Sequence, residues 1–159
     1  MLPIESTRLR LRPLRDEDLD VVFQILGDDE TTAMVSWRQS SINGADAWLS
    51  RRIEDQRQHG FSMWAIEVRD RQQVVGLCGF FPRGDLLELG YVVKATHWRR
   101  GIGQESVQLA VSAAAKARRR VFATIRPFNL ASIKCAERAG LLLSGQSEDQ
   151  RGLLLRYET

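Results

Sequence analysis

The sequence lacks several features that would point to a particular class of protein. It has only two cysteines, Cys78 and Cys135, in 159 residues, and their spacing fits neither a metal site nor a disulfide framework. No segment approaches the run of about 18 apolar residues that crosses a membrane, and the opening MLPIESTRLRLRPL lacks the apolar core of a secretory signal. We therefore expect reduced thiols, no metal, no membrane association and a cytoplasmic location.

Internal repeats, heptads and low-complexity tracts are also missing, which argues against repeat proteins, coiled coils and disordered tails. The length, with 43% hydrophobic and 27% charged residues, predicts one globular domain over residues 1–159 with a single core. A net charge of +3 favours anionic partners without selecting one. Because no helix-turn-helix pattern and no interleaving of basic and aromatic residues occurs, we expect no nucleic-acid partner.

The hydrophobic pattern predicts an α+β domain in the order β-α-α-β-β-β-α-β-α-β-β. Residues 8–14, RLRLRPL, alternate as in a half-buried strand, and Asp16 is expected to cap the helix that follows. Short polar connections join three strand-like runs over residues 61–93, which favours antiparallel neighbours. The pattern thus predicts a mostly antiparallel mixed sheet of about seven strands with about four helices.

The most informative segment is VKATHWRRGIGQ, residues 93–104, between a predicted strand and a predicted helix. Gly101 and Gly103 allow a tight turn and let an anion approach the backbone without interference from a Cβ. The first turn of the helix has four free N–H donors and about half a positive charge, which suits a diphosphate. A plain strand-to-helix turn explains the same spacing, and the segment is neither a Walker loop nor a complete Rossmann fingerprint.

Five blocks occur in an order that extends over nearly the whole chain: STRLRLRPLRDEDLD, VVGLCGF, ELGYVV, WRRGIGQESV and NLASIKCAERAGL. Together they resemble the GNAT superfamily of acetyl-CoA-dependent N-acetyltransferases, and within it the branch of the ribosomal-protein N-terminal alanine and serine acetyltransferases. The resemblance implies a single GNAT-like domain with a central strand–loop–helix acyl-CoA site. It also implies acetyl-CoA as acyl donor and a primary amine, in a protein N-terminus or a small molecule, as acceptor.

The resemblance also implies roles for individual residues in donor binding. The edge of the strand before the loop, at Val92 and Val93, is expected to pair with the pantetheine arm, and Asn129 and Ser132 are expected to lie beside it. Many family members carry a tyrosine acid four residues after this serine, where this chain has Ala136. The loop whose main-chain amides would bind the CoA diphosphate comprises Trp98, Arg99, Arg100, Gly101, Ile102, Gly103 and Gln104.

The candidate general base is Glu88, on the strand before the loop, where the family often uses an acidic residue or a water chain. A solvated glutamate, or one paired with an arginine, is the alternative. Trp37, Trp64 and Tyr91 are candidates for the acceptor pocket, and each has core packing as its alternative. Strand alternation places Glu88 on the face opposite Tyr91.

Two functional classes fit this sequence best. The first is an N-acetyltransferase whose acceptor amine attacks the thioester directly. The second is a non-catalytic acyl-CoA-binding regulatory module, an alternative that the missing tyrosine supports. Pairing of edge strands into a homodimer is compatible with the sequence, although the terminal hairpin carries no decisive signal for it.

Overall fold

The computed structural model describes residues 2–159 and has the predicted α+β architecture with four helices. The sheet has eight strands where about seven were expected, because the two-residue first strand is too short for alternation to reveal it. Two short 3-10 turns, at residues 16–18 and 95–97, complete the regular structure. The elements are β1 (Ile4–Glu5), β2 (Leu9–Pro13), α1 (Leu19–Gly27), α2 (Ile42–His59), β3 (Met63–Val68), β4 (Gln73–Arg83), β5 (Leu86–Val93), α3 (Ile102–Lys116), β6 (Arg120–Ile125), α4 (Leu130–Arg138), β7 (Leu142–Asp149) and β8 (Gly152–Glu158).

The strands form one sheet in the order β1-β2-β3-β4-β5-β6-β8-β7. Every neighbouring pair is antiparallel except β5 and β6, which run parallel because α3 connects them as a crossover. These two strands pair only from Leu86 with Arg120 to Glu88 with Phe122. Beyond that point they separate, and the remaining length of β5 borders a gap in the sheet.

Both faces of the sheet are covered, so the chain has two layers of core. On one face β5 contributes Leu87 to a cluster that includes Val107 of α3. On the other face β5 contributes Val92 to a cluster with Val22 of α1 and Trp48 of α2. The predicted alternation along β5 is therefore confirmed, and α1 and α2 lie on the face opposite α3.

The turn between β2 and α1 differs from the prediction at its capping residue. Asp16 begins a 3-10 turn and caps no α-helix; the residue that satisfies the backbone there is Asp18. Its carboxylate accepts from the backbone N–H of Arg15 at 2.8 Å and from two guanidinium nitrogens of Arg12 at 2.9 and 2.8 Å. Arg12 also donates to Glu67 at 3.0 Å. A buried ion network thus joins β2, β3 and the start of α1.

Helix α2 has the ends that its sequence indicates. The hydroxyl of Ser41 accepts from the backbone N–H of Gly44 at 3.0 Å, which caps the first turn. Gly60 ends the helix in the left-handed conformation, with φ of 72°. Within residues 2–159, none of the helices combines the length and the apolar character that a membrane crossing demands.

Candidate active site

A cavity of about 570 Å³ opens where β5 and β6 separate. One end of it is walled by β5, β6 and α4, and the other by the segment 33–37 with α2 and β4. Such a cleft between diverging parallel strands is a frequent place for ligands. In residues 2–159 no group of three or more His, Cys, Asp or Glu side chains is placed to hold a metal. The predicted residues that line the cavity are Trp37, Glu88, Tyr91, Asn129 and Ser132.

The loop before α3 has the backbone geometry of an anion site. Gly101 caps the helix with φ of 72°, and Arg99 is also left-handed, with φ of 61°. The first bond of the helix runs from the N–H of Glu105 to the carbonyl of Gly101 at 3.1 Å. The amides of residues 102–104 therefore have no carbonyl partner inside the helix. Arg99 and Arg100 lie exposed beside these free donors.

Gly103 brings α3 close to β5. A Cβ at this position would lie 3.0 Å from the ring of Tyr91 and 3.6 Å from Val93. A side chain there would therefore require the Tyr91 ring or the helix N-terminus to shift. The glycine pattern read from the sequence serves close packing at residue 103 and a left-handed turn at residue 101.

The start of β2 clamps the loop from the other side. Arg8 donates from Nε to Glu105 at 2.6 Å and from Nη2 to the carbonyl of Arg100 at 2.8 Å. The hydroxyl of Ser6 also donates to Glu105. Arg8 and Glu105 are almost a hundred residues apart in the chain, so no local pattern in the sequence indicates this contact.

The remaining loop residues act through their backbone or tie elements together. Trp98 is 45% exposed, and its Nε1 donates to the carbonyl of Val93 at 2.8 Å, which fixes the loop to the end of β5. Gln104 accepts from Arg138 and so links α3 to α4. The side chains of Val92, Val93 and Ile102 are buried in the cores. Donor contacts there would involve main-chain atoms.

A second cavity of about 230 Å³ lies against the same loop and is rich in cations. Arg8, Arg71 and Arg100 line it together with His97 and one carboxylate, that of Asp70. Burial and the nearby Arg100 and Lys94 lower the pKa of His97. Because these charges disfavour a further cation, this side of the loop suits an anionic ligand.

Tyr91, Ser132 and Asn129 form a hydrogen-bonded group in the wall of the main cavity. The Tyr91 hydroxyl lies 3.0 Å from the Ser132 Oγ. The Asn129 Oδ1 accepts from the backbone N–H of Ser132 at 3.3 Å, which caps α4. Burial raises the pKa of Tyr91, so its hydroxyl is protonated at neutral pH. Ala136 lies in the same wall and leaves room there.

Glu88 faces the cavity, as a general base would, and also pairs with an arginine, as its alternative interpretation supposed. It lines the cavity, and its Oε2 accepts from the Nε of Arg83 at 2.7 Å. The side chain is a quarter exposed. The carboxylate is therefore held by an arginine and is within reach of a ligand in the cavity.

The two tryptophans proposed for the acceptor pocket have different surroundings. Trp37 is half-buried in the cavity wall, stacked on Trp48 with ring centroids 5.7 Å apart. Trp64 does not line the cavity: it is 1% exposed, its Nε1 donates to Gln56 at 2.7 Å, and it packs on Phe80 in the core. The core alternative is thus the correct one for Trp64, because β3 lies in the middle of a sheet covered on both faces.

Three residues that the sequence did not single out also belong to the cavity wall. Trp48, Arg52 and Phe81 line the cavity beside Trp37. Trp48 belongs to the apolar stripe of α2, and Phe81 belongs to an apolar strand. A periodic pattern marks such residues as buried, but it does not tell a core wall from a cavity wall.

Comparisons with known proteins agree with this geometry. The protein YoaA of Bacillus subtilis (strain 168), described as an uncharacterised N-acetyltransferase, is 30% identical over 117 residues, which are 70% of this chain and 66% of YoaA. A GNAT-family acetyltransferase from Bordetella pertussis has the same fold, with a TM-score of 0.87, 21% identity and 99% of both chains covered.

A ribosomal-protein acetyltransferase also shares the fold. RimL, the ribosomal L7/L12 α-N-protein acetyltransferase, was solved in complex with coenzyme A; its TM-score is 0.86 at 19% identity, with 97% of this chain and 94% of RimL covered. The family description "Acetyltransferase (GNAT) domain" matches residues 8–142, well over half of the chain. This chain therefore belongs to the GNAT family of acetyl-CoA-dependent acetyltransferases.

Proposed function

We propose that this acetyltransferase transfers the acetyl group to a primary amine by direct attack of the amine on the thioester of acetyl-CoA. The observation that carries the proposal is the cavity between β5 and β6, which has Glu88 and the Tyr91–Ser132 pair in its wall. The free amides of the loop before α3 lie at the end of β5, the strand that borders the cavity. The loop that would bind the donor and the cavity that would take the acceptor are therefore next to each other.

The donor end fits a diphosphate with a flexible arm. The amides of residues 102–104 and the guanidinium groups of Arg99 and Arg100 would bind the diphosphate. The edge of β5 and the capping residue Asn129 would bind the pantetheine arm. RimL, which has the same fold, binds coenzyme A. When bound, acetyl-CoA supplies an acyl carbon already activated by its thioester.

The acceptor end needs a group that takes a proton from the amine. An α-amine, with a pKa of about 7.8, is neutral in about 15% of molecules at pH 7, so a weak base suffices; a lysine side chain, with a pKa of about 10.4, needs far more help. Glu88 takes this proton as the nitrogen–carbon bond forms and the carbon–sulfur bond breaks. The departing sulfur takes a proton from water or from the hydroxyls of Tyr91 and Ser132, since Ala136 has none to give.

A single assay series separates catalysis from the regulatory alternative. Release of free CoA thiol is followed with acetyl-CoA and a panel of amines that includes peptides, amino acids and polyamines, while calorimetry measures acetyl-CoA binding. Amine-dependent release supports the proposal. Tight binding without release for any amine supports the non-catalytic module, for which Ala136 is the structural argument. Absence of acetyl-CoA binding contradicts both.

A further inference from the structure

Arg52, in the acceptor wall of the cavity, has fewer partners than its burial demands. Its side chain is 13% exposed, and its Nη2 pairs with Asp55 at 2.9 Å. Its Nε is buried and has no hydrogen-bond partner within residues 2–159. Arg12 is buried to the same degree, at 12% exposed, yet it donates to both Asp18 and Glu67. The two arginines differ in the number of oxygens around them.

The pKa values of the two arginines are shifted in opposite directions. Burial lowers the pKa of Arg52, whereas hydrogen bonds to Asp18 raise the pKa of Arg12. Arg12 is compensated within the fold, and Arg52 is only partly compensated. A partly desolvated guanidinium that borders a ligand cavity is well placed to bind an anionic oxygen.

A second unpartnered donor lies beside Arg52. Among the residues that the structure describes, the Nε1 of Trp48 is likewise buried without a hydrogen-bond partner, and Trp48 lines the same cavity. The Arg52 guanidinium carbon lies 5.4 Å from the centre of the Trp48 ring. Both unsatisfied groups are donors, so the group that would complete this wall is an acceptor. A carboxylate can serve more than one donor at once.

Further cationic and aromatic side chains of the cavity wall lie beside Arg52. The ring of Phe81 lies 5.0 Å from the guanidinium carbon of Arg52 and 5.8 Å from that of Arg83. Trp37 meets Phe81 edge to face at 5.6 Å and presents its half-buried ring to the cavity. Arg83 in turn holds Glu88, so the base candidate lies next to the cationic wall.

We propose that the acceptor is a small amine that also carries a carboxylate and an apolar or aromatic side group, as the apolar α-amino acids do. Arg52 binds the carboxylate, Trp37 packs on the side group, and the amine faces Glu88. This inference rests on the proposed function. A cavity of about 570 Å³ must hold the acetyl end of the donor as well, and cavities of about 300–1,000 Å³ hold single drug-sized ligands, so the part of the acceptor that enters it is small.

The first test needs only the unmodified protein. Phenylalanine is compared with phenethylamine, and leucine with 3-methylbutylamine, so that each pair differs by the carboxylate alone. After correction for the neutral fraction of each amine, we expect kcat/KM to be about tenfold to a hundredfold higher for the amino acid, the range for a hydrogen-bonded charged group. Equal values within both pairs would overturn the inference.

Two variants assign the preference to Arg52. Arg52→Gln should reduce the ratio within each pair to near one and leave the Kd of acetyl-CoA unchanged. Arg51→Gln is the matched control, because Arg51 pairs with the same Asp55 from the same helix but is 73% exposed; it should keep the ratio. A ratio that falls equally in both variants would contradict a role for Arg52 in binding.

A further measurement covers the case in which Arg52→Gln does not fold. In the presence of CoA, N-acetylphenylalanine should raise the unfolding temperature of the unmodified protein more than N-acetylphenethylamine does. Equal shifts would count against the carboxylate site. Faster turnover of phenylalanyl peptides than of phenylalanine would overturn the small acceptor, and turnover of amines regardless of carboxylate would overturn this inference alone. No turnover with any amine would contradict the proposed function as well.

Discussion

Glu88, whose carboxylate is held by Arg83, is the proposed base. Its replacement should therefore change how the rate of turnover depends on pH. Glu88→Gln should lower kcat/KM by about a hundredfold near pH 6, within the range for a lost general base. The loss should shrink above about pH 8, because an α-amine with a pKa of about 7.8 is then neutral without help. Rates with a peptide acceptor, whose N-terminal amine has this pKa, measure the change across this range.

The control for Glu88 is another carboxylate of the same cavity. Asp149 lines the wall and pairs with Arg126 at 2.7 Å, so Asp149→Asn removes a comparable charge. We expect its rate profile to keep the shape of the unmodified protein. If Glu88→Gln instead lowers the rate by the same factor at every pH, Glu88 positions a ligand and is not the base.

Asp18 couples the stability of the fold to pH. Burial favours its protonated form, but hydrogen bonds from Arg12 and from the backbone of Arg15 outweigh this and hold its pKa below the usual value. The stabilisation is therefore present above the unfolded pKa of about 3.9 and is lost as the pH falls through the lower folded value. Asp18→Asn should lower the unfolding free energy by about 3 kcal/mol at pH 7, the loss expected for one partner of a buried pair.

Thermal unfolding from pH 7 down to pH 3 checks this linkage. The gap between the unmodified protein and Asp18→Asn should narrow as the pH drops. The exposed pair of Glu54 and Arg57 provides the comparison, since Glu54→Gln should change the midpoint little at any pH. A gap that stays constant down to pH 3 would mean that Asp18 acts through packing and not through its charge.

For single residues, the sequence indicated which side chains are candidates for the site, but it did not indicate what surrounds each of them in the fold. Trp37 and Trp64 looked equivalent in the sequence, yet one lines the cavity and the other lies in the core. The clamp of Arg8 on Glu105 depends on the packing of β2 against α3, which no local pattern encodes. Arg52 carries no sequence signal at all, because the missing hydrogen-bond partner of its Nε within residues 2–159 is a property of the folded wall.

Helix α3 and strand β5 meet where Gly103 lies against Tyr91. Gly103→Ala would place a Cβ 3.0 Å from the Tyr91 ring, and overpacking of this kind costs about 1–3 kcal/mol. The Tyr91 hydroxyl is held by Ser132, so we expect the helix N-terminus to shift and the Kd of acetyl-CoA to rise about tenfold or more, as lost amide hydrogen bonds would cause. Calorimetric titration with acetyl-CoA measures the change.

Gly145 offers the matched control for this element. It lies in β7, a Cβ there would have no heavy atom within 4 Å, and the same substitution is therefore free of steric conflict. Gly145→Ala should leave both the Kd and the unfolding temperature unchanged. A Kd that stays unaltered in Gly103→Ala while the unfolding temperature falls would count against the amides of this helix as ligands of the donor.

Elements were predicted best where local chemistry determines their ends. The cap at Ser41 and the left-handed Gly60 bound α2 as the sequence indicates, and Asn129 begins α4. The predicted cap at Asp16 was wrong because the chain makes a 3-10 turn before α1. The side chain that accepts from the backbone there is that of Asp18. Strand β1 escaped notice because two residues contain no period.

The molecule as a whole is divided at the gap in its sheet. Strands β5 and β6 share only three paired positions, whereas β4 and β5 share eight. The order of the elements along the chain predicts that two strands joined by a crossover helix run parallel. It does not predict where those two strands stop pairing. The twist and packing of both halves of the sheet determine where the pairing stops. The sequence pattern therefore did not predict the cavity, which was expected only because the family resemblance implies it.

A donor that occupies this gap should stabilise the entire domain. A ligand at about 100 times its Kd adds about 2.7 kcal/mol to the free energy of unfolding, and each kcal/mol moves the midpoint of a domain of this size by about 2–4 °C. Saturating acetyl-CoA should therefore raise the unfolding temperature by about 5–10 °C. ATP and NAD, which also carry phosphates but no pantetheine arm, should raise it much less, because the edge of β5 would stay empty. A rise of equal size with all three ligands would assign the binding to the cationic loop alone, and the gap between β5 and β6 would then have no part in holding the donor.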